Sequence, residues 1–391
     1  MKIAIFSETY YPEINGIATS IYNLKNALER HGHQVLLVTT NPFENKLSYQ
    51  DGIIRLPGIK LKFLYNYRMS RFYNEEAAKI IRQFNPNIIH VQTSAGVGHF
   101  GSVMGDKLKV GKVYTFHTMI EDYAYYLTHG YFDHFARYAI RRFFRGKSTH
   151  FDEFIAPSSK IKEYLRSIGV DTTVSVIPTG IDIERYSRAN QDTSSTDSLK
   201  KELGIEKDDF VILYLGRIAK EKSIDFLMDG FAAFLKKHPD KKVKFLITGW
   251  GPEEDTLKEL ARKKKAAEKV IFAGRCDPTE TQKYYYLADC FVSASLTETQ
   301  GLTLIEALAS SLPCIARFDE ALADTIKNRE SGFLFLDEEG FVQCLEETME
   351  LNQEERERIV SAGKRAIEGF SLELFYQRII EVYKRVERRN W

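Results

Sequence analysis

Apolar positions fall in short continuous runs separated by longer amphipathic stretches, and this alternation repeats along the chain. Residues 3–7 read as a strand, followed by a loop holding Pro12 and Gly16. Helical spacing then runs over 17–31, Gly32 stops it, and 34–39 form the next strand. Further strands are expected at 88–92, 113–116, 154–157 and 174–178. Continuous apolar runs between amphipathic helices imply a parallel sheet covered on both faces.

The pattern restarts after the polar stretch 190–198. Strands are expected at 210–216, 243–249, 270–273, 290–294 and 314–316, with a helix at 223–237 and others between them. Pro178, Thr179 and Gly180 mark the expected hinge. The last helix, 372–389, carries Leu372, Phe375, Ile379, Val382, Tyr383 and Val386 at helical spacing, and no strand follows it. It is expected to pack across a domain surface. The reading is therefore two doubly wound α/β domains, 1–178 and 179–371, with a terminal helix at 372–391 that can cross back to the first. The carboxyl ends of their strands are expected to meet at a cleft, where ligands bind such sheets.

The totals agree with this division. The chain has 391 residues, which suits two domains of ordinary size. A net charge of +1 argues against a globally basic nucleic-acid binder. Cys276, Cys290, Cys314 and Cys344 form no C-x-x-C pair and lie in or beside apolar runs, so buried free thiols and a reducing compartment are expected. The opening run Met1 to Phe6 is too short for a signal-peptide core, and no apolar stretch approaches the ~20 residues that span a bilayer. The expected place is the cytoplasm.

Candidate chemistry sits where strands lead into helices. Gly216 and Arg217 follow a strand and Lys222 precedes a helix; an arginine fork with a lysine point charge suits a diphosphate, although a solvated basic loop has the same composition. In Glu298-Thr299-Gln300-Gly301-Leu302-Thr303-Leu304-Ile305-Glu306, two carboxylates flank a glycine turn. Glu298 precedes the expected helix and Glu306 lies about two turns inside it. Carboxylates accept hydrogen bonds from the paired hydroxyls of sugars and ribose, and backbone N–H groups at Thr299 to Leu302 can face phosphate. Glu298 alone would also serve as a plain helix-start charge. Gly16, in the loop before the first helix, lets backbone approach a substrate closely. His117 ends a strand, and Asp122 follows it, either to bind an acceptor hydroxyl or merely to start a helix. No metal-ligand constellation is evident; His31 and His33 lack carboxylate or cysteine partners.

Together these residues resemble the retaining nucleotide-sugar glycosyltransferases of family 4, with the GT-B architecture of two Rossmann-like domains. The most specific part is the pair Glu298 and Glu306 with seven residues between them, joined to Gly216, Arg217 and Lys222. The resemblance implies that Arg217 and Lys222 bind the donor diphosphate without a metal. It implies that Glu306 binds ribose, that Glu298 with the following backbone binds the sugar, that His117 stands beside the reacting centre, and that Gly16 lies near the phosphates. The chain departs at Ile17 and Ser223, where many members have glycine, and at Gln300, where phenylalanine is frequent. The stretches from Phe116 to Tyr123 and from Thr297 to Thr303 look like those of bacterial 1,2-diacylglycerol 3-glucosyltransferases. That implies UDP-glucose as donor substrate, diacylglycerol as acceptor and no cofactor. Asp122 is then a candidate for orienting the glycerol hydroxyl.

A lipid acceptor adds a demand of its own: the protein must reach an anionic membrane surface, here the inner face of the cell membrane. No acid occurs over 53–74, which holds Arg55, Lys60, Lys62, Arg68 and Arg71 among Phe63, Tyr65, Tyr67, Phe72 and Tyr73. A second acid-free stretch, 134–150, holds Arg137, Arg141, Arg142, Arg145 and Lys147 among Phe135, Tyr138, Phe143 and Phe144. Near an anionic surface each cation is worth about 1 kcal/mol. An ordinary solvated face with core-serving aromatics has the same composition. RNA binding does too, but no RNA-recognition motif accompanies it. Two other readings stay open: a related transferase with another donor (GDP-mannose) or acceptor (phosphatidylinositol, a soluble sugar), and a non-catalytic nucleotide-sugar or lipid-surface binder. A dehydrogenase is disfavoured, because no G-x-G-x-x-G follows the first strand.

Overall fold

The computed structural model describes residues 1–13, 15–61, 67–117, 133–323 and 325–389. Contacts divide the chain into two compact units, Met1–Gly180 with Leu372–Trp391, and Ile181–Ser371.

In chain order the first unit holds β1 (Lys2–Phe6), α1 (Gly16–Arg30), β2 (Gln34–Thr40), β3 (Ser48–Gln50), β4 (Ile53–Leu56), β5 (Gly58–Leu61), β6 (Tyr67–Ser70) and α2 (Glu75–Phe84). It continues with β7 (Ile88–Val91), α3 (Gly96–Leu108), β8 (Gly111–Thr115), α4 (Asp133–Ser148), β9 (Glu153–Ala156), α5 (Ser159–Ser167) and β10 (Val174–Val176). The main sheet runs β10-β9-β8-β7-β1-β2-β4-β3 and is parallel except for the β3–β4 pair. The short β5–β6 ladder is separate and antiparallel. Ile3, Ala4, Ile5 and Phe6 are wholly buried because helices cover both faces. Ala4 and Phe6 face the layer of α2 and α3; Ile3 and Ile5 face that of α1.

The second unit holds α6 (Ile183–Tyr186), α7 (Thr193–Glu202), β11 (Phe210–Leu215), α8 (Ile224–Lys237), β12 (Val243–Thr248), α9 (Glu254–Lys263) and β13 (Val270–Gly274). Then come α10 (Thr281–Leu287), β14 (Cys290–Ser293), α11 (Leu302–Ala309), β15 (Cys314–Arg317), β16 (Phe333–Phe335), α12 (Glu338–Glu350) and α13 (Gln353–Ile367). Its sheet, β13-β12-β11-β14-β15-β16, is parallel throughout. The four cysteines are free and buried.

The final helix, α14 (Leu372–Arg389), belongs to the first unit. Its apolar face, Phe375, Ile379, Val382, Tyr383 and Val386, packs with Ile21, Leu24 and Leu28 of α1 over β7 and β8. Arg385 pins it by donating at 2.6 Å to the buried carboxylate of Glu153.

Three differences from the sequence reading have local causes. The polar stretch 190–198 is not simply a break: Asp192 caps α7 by accepting from Ser194 and Ser195 N–H, and seven helical residues up to Leu199 follow that cap. Thr179 and Gly180 stay with the first unit, since the Thr179 hydroxyl meets Ser20 at 2.9 Å and Asn23 donates to the Gly180 carbonyl at 2.8 Å. Strands β3 to β6 and β16 are each three or four residues long, too short for their periodicity to stand out.

Candidate active site

In each sheet the chain order reverses beside the first strand, between β1 and β7 in one unit and between β11 and β14 in the other. Such reversal points open a crevice at the strand ends. The sequence-predicted residues cluster at both.

In the second unit, β11 ends in Leu215 and the chain turns through Gly216 and Arg217. The Tyr214 hydroxyl donates to the Arg217 carbonyl at 2.8 Å and fixes this turn. The neighbouring strand end comes so close that a Cβ on Gly249 would stand 1.8 Å from the Gly216 carbonyl oxygen. A single 3₁₀ turn, Lys220–Lys222, then leads to Ser223, which caps α8 in the left-handed region at φ 49°. The glycine expected here by family resemblance would hold that conformation without strain; serine holds it at a cost of about 1–2 kcal/mol.

Opposite, β14 leads through Glu298 to Gly301, left-handed at φ 78°, which starts α11 at Leu302. Lys222 Nζ lies 2.6 Å from Glu298 Oε1, so two segments 76 residues apart in sequence meet. Arg217 pairs with Glu221, whose side chain is buried. Thr299 is partly exposed, Gln300 buried. Glu306 lies little more than one turn into α11, not two, because the helix begins only at Leu302. It is buried, and its Oε2 accepts from the Tyr285 hydroxyl at 2.7 Å. Burial raises its pKa, while the hydroxyls of Tyr285 and Tyr186 and the nearby Arg185 act against that rise. Tyr285 and Tyr186 were not singled out from sequence, where they stand among ordinary aromatic core positions.

In the first unit Asn15 caps α1, accepting from Ala18 N–H at 2.9 Å, and Gly16 is the exposed first residue of the helix. Glu13 accepts from Thr9 at 2.5 Å, and Asn15 donates to the same hydroxyl at 2.8 Å. His117 follows β8, with its Nε2 2.5 Å from Gln92 Oε1. Burial depresses its pKa to about 4, so the ring is neutral at neutral pH. Glu8, two residues beyond the end of β1, is buried. Its Oε1 accepts from Val97 N–H at 2.6 Å at the start of α3, and its Oε2 pairs with the Thr93 hydroxyl. Lys147 of α4 lies near Glu8 and donates to the Ser94 carbonyl at 3.2 Å; burial lowers its pKa to about 8. Sequence reasoning missed Glu8, His90 and Gln92, although a His-x-Gln pair inside an apolar run was a visible signal.

The basic stretches divide. On α4, exposed Tyr138, Arg141, Arg142 and Arg145 recur at three- and four-residue spacing along one face. Phe143 is also exposed, but Phe144 is buried against Phe116 and serves the core. Arg71 and Phe72 are exposed and Arg68 is half-buried. Arg55 departs from the surface reading: it is half-buried on β4 and donates to the Tyr11 carbonyl at 3.0 Å, so its charge is turned inward. Lys62, Phe63, Tyr65 and Asp122 lie outside the described residues, as do the side chains of Lys60 and Arg137. Among the described residues no group of three or more His, Cys, Asp or Glu could hold a metal ion, and no helix is long and apolar enough to cross a membrane.

Residues 14–185 match the pattern described as Glycosyltransferase Family 4, and residues 195–366 that of Glycosyl transferases group 1. The chain belongs to the family 4 glycosyltransferases, and its two parallel-sheet units have the GT-B architecture. It is 34% identical to the alpha-monoglucosyldiacylglycerol synthase of Acholeplasma laidlawii over 88% of this chain and 87% of that one. It is also 34% identical to the enzyme of the same name from Streptococcus pneumoniae, over 98% and 85%. The fold matches sucrose-phosphate synthase from Thermosynechococcus elongatus with a TM-score of 0.77, at 18% identity over 99% of both chains.

Proposed function

We propose that this glycosyltransferase moves glucose from UDP-glucose to 1,2-diacylglycerol, with retention of configuration, at the cytoplasmic face of the membrane and without a metal ion. The acceptor assignment is carried by the two relatives named alpha-monoglucosyldiacylglycerol synthase, each 34% identical over most of both chains.

The leaving group is a nucleoside diphosphate whose charge grows as the sugar C1–oxygen bond breaks. Arg217 and Lys222 neutralise it. Arg217 is paired with Glu221 and Lys222 with Glu298, which holds each cation in place at the strand ends. Donors held ready in this way are each worth about 3–4 kcal/mol in the transition state. Glu298 takes sugar hydroxyls and Glu306 those of ribose; Gly16, at a helix start, approaches the phosphates. His117 contacts the sugar. Its neutral, weakly basic ring is unsuited to removing the acceptor proton, which supports a front-face reaction in which the departing phosphate accepts that proton. The exposed basic and aromatic face of α4 supports attachment to anionic lipid.

The decisive assay offers labelled UDP-glucose and GDP-mannose against diacylglycerol and phosphatidylinositol, with and without chelator, and reads product linkage by NMR. An α-linked glucosyl diacylglycerol formed in chelator is expected. Mannosyl product, a β-linkage or dependence on added metal would each overturn the corresponding part.

A further inference from the structure

Polar side chains stand in series inside the apolar strand ends of the first unit. His90 of β7 is completely buried. Its Nδ1 lies 2.6 Å from the Tyr383 hydroxyl of α14, and its Nε2 lies 2.7 Å from the Thr115 hydroxyl of β8. Gln92, two residues further on and also buried, sets its amide nitrogen 3.3 and 3.2 Å from those same two ring nitrogens. The in-plane hydrogen-bonding directions of Nδ1 and Nε2, one an N–H and the other a lone pair, diverge and are already taken by the two hydroxyls. An atom almost equidistant from both nitrogens therefore lies over the ring face.

That contact decides which way round the amide stands. An N–H over an aromatic face is attractive, whereas a carbonyl oxygen there would set its lone pairs against the π density. The Gln92 nitrogen thus faces His90 and the oxygen faces His117, 2.5 Å from Nε2. A carbonyl oxygen only accepts, so His117 Nε2 must carry the proton. In a neutral ring the other nitrogen, Nδ1, is then a bare acceptor.

We propose that Gln92, itself oriented by the Tyr383–His90 pair, is a positioning residue that locks His117 in its Nε2–H tautomer and offers Nδ1 as a hydrogen-bond acceptor to the transferred sugar. The inference rests on the reading that His117 meets the sugar. A sugar hydroxyl then donates to His117 and keeps its oxygen lone pairs for donors elsewhere. The terminal helix acquires a second task besides covering apolar strands, because it carries the hydroxyl at the far end of the chain of contacts.

Nitrogen-15 histidine labelling with long-range proton–nitrogen correlation reads the tautomer directly. His117 is expected to show a protonated Nε2 and a pyridine-type Nδ1 at pH 7; the reverse pattern overturns the proposal whatever the activity. Gln92→Leu should mix the tautomers and lower kcat with UDP-glucose by roughly 10–100-fold, the range of a lost hydrogen bond to a functional group. UDP affinity should change less than about twofold, because the charged groups that take diphosphate and ribose, Arg217, Lys222 and Glu306, belong to the other unit and Gly16 makes no contact with Gln92. Tyr383→Phe keeps the ring and should move the tautomer signals the same way by less. Unchanged signals and turnover in both variants would sink the lock. A correct tautomer in a protein that makes no glucosyl lipid would instead sink the substrate reading and leave the lock standing.

Discussion

The strand-end sites of the two units are built from opposite materials. In the second, Arg217, Glu221, Lys222 and Glu298 form two ion pairs at the ends of β11 and β14. In the first, the described groups linked to His117 through Gln92 are a carboxamide, hydroxyls and a neutral ring, while the buried carboxyl of Glu8, its pKa raised, has Lys147 as its nearby charge. A site that must take up and release a doubly charged leaving group needs fixed charges that can change partners. A site that meets an uncharged sugar and a neutral alcohol gains more from fixed directions of hydrogen bonding, since a buried unpaired charge would cost far more than it returned.

The largest expected effect tests the charged side. Arg217→Ala and Lys222→Ala should each cut turnover by ~100-fold or more, the consequence of losing about 3–4 kcal/mol of transition-state stabilisation. Steady-state kinetics in saturating lipid checks this. Near-normal rates in both variants would remove the diphosphate role and with it the contrast between the two units.

This contrast also explains what the sequence disclosed. Charged residues just after apolar strands are conspicuous, so Arg217, Lys222, Glu298 and Glu306 were legible, as were the two parallel sheets and the span of the last helix. The neutral chain was not. His90 and Gln92 hide inside a run that reads as a strand, and Tyr383, 293 residues beyond His90, reads as one more apolar helix position. The crossing of the last helix back to the first unit was expected, but their meaning depends on α14 lying on β7 and β8 with Tyr383 at His90, a placement that no local pattern encodes. Arg55 failed for the converse reason: composition counts cations but not the direction in which a strand points them.

A second test asks whether the exposed cations of the first unit act outside its site. Arg141, Arg142 and Arg145, replaced together by Gln, should weaken binding to anionic vesicles by up to ~100-fold, at about 1 kcal/mol each before discounting. Sedimentation at low and high salt measures it. Equal binding of wild type to neutral and anionic vesicles would show that these charges face nothing anionic.

Acid exposes the neutral side of the comparison. Burial lowers the pKa of His90 to about 3 and of His117 to about 4, against about 6.5 for an unfolded histidine. Between those values the unfolded chain binds the protons and the folded chain does not, so stability is lost as pH falls from about 6.5 toward 4. Glu8 and Glu306 have raised pKa values and contribute with the opposite sign, gaining as pH falls through their folded values. His90→Gln should therefore cost stability at pH 7 and cost less at pH 5, as read from urea midpoints. A gap that stays constant between the two pH values would mean that His90 is not held neutral.

The smallest effect returns to the charged turn. Ser223 holds φ 49° immediately after Lys222, with no side-chain cap to the helix it begins. Ser223→Gly removes a left-handed penalty of about 1–2 kcal/mol but frees the unfolded chain by about 0.4–1 kcal/mol, so a net gain of roughly 0.5–1 kcal/mol is expected. For a unit of this size that is about 1–4 °C in Tm. Since glycine leaves Lys222 and Arg217 untouched, turnover should stay within about twofold. A more stable but much slower variant would mean that the strained serine holds Lys222 against Glu298, and that the charged site, like the neutral one, depends on a fixed direction.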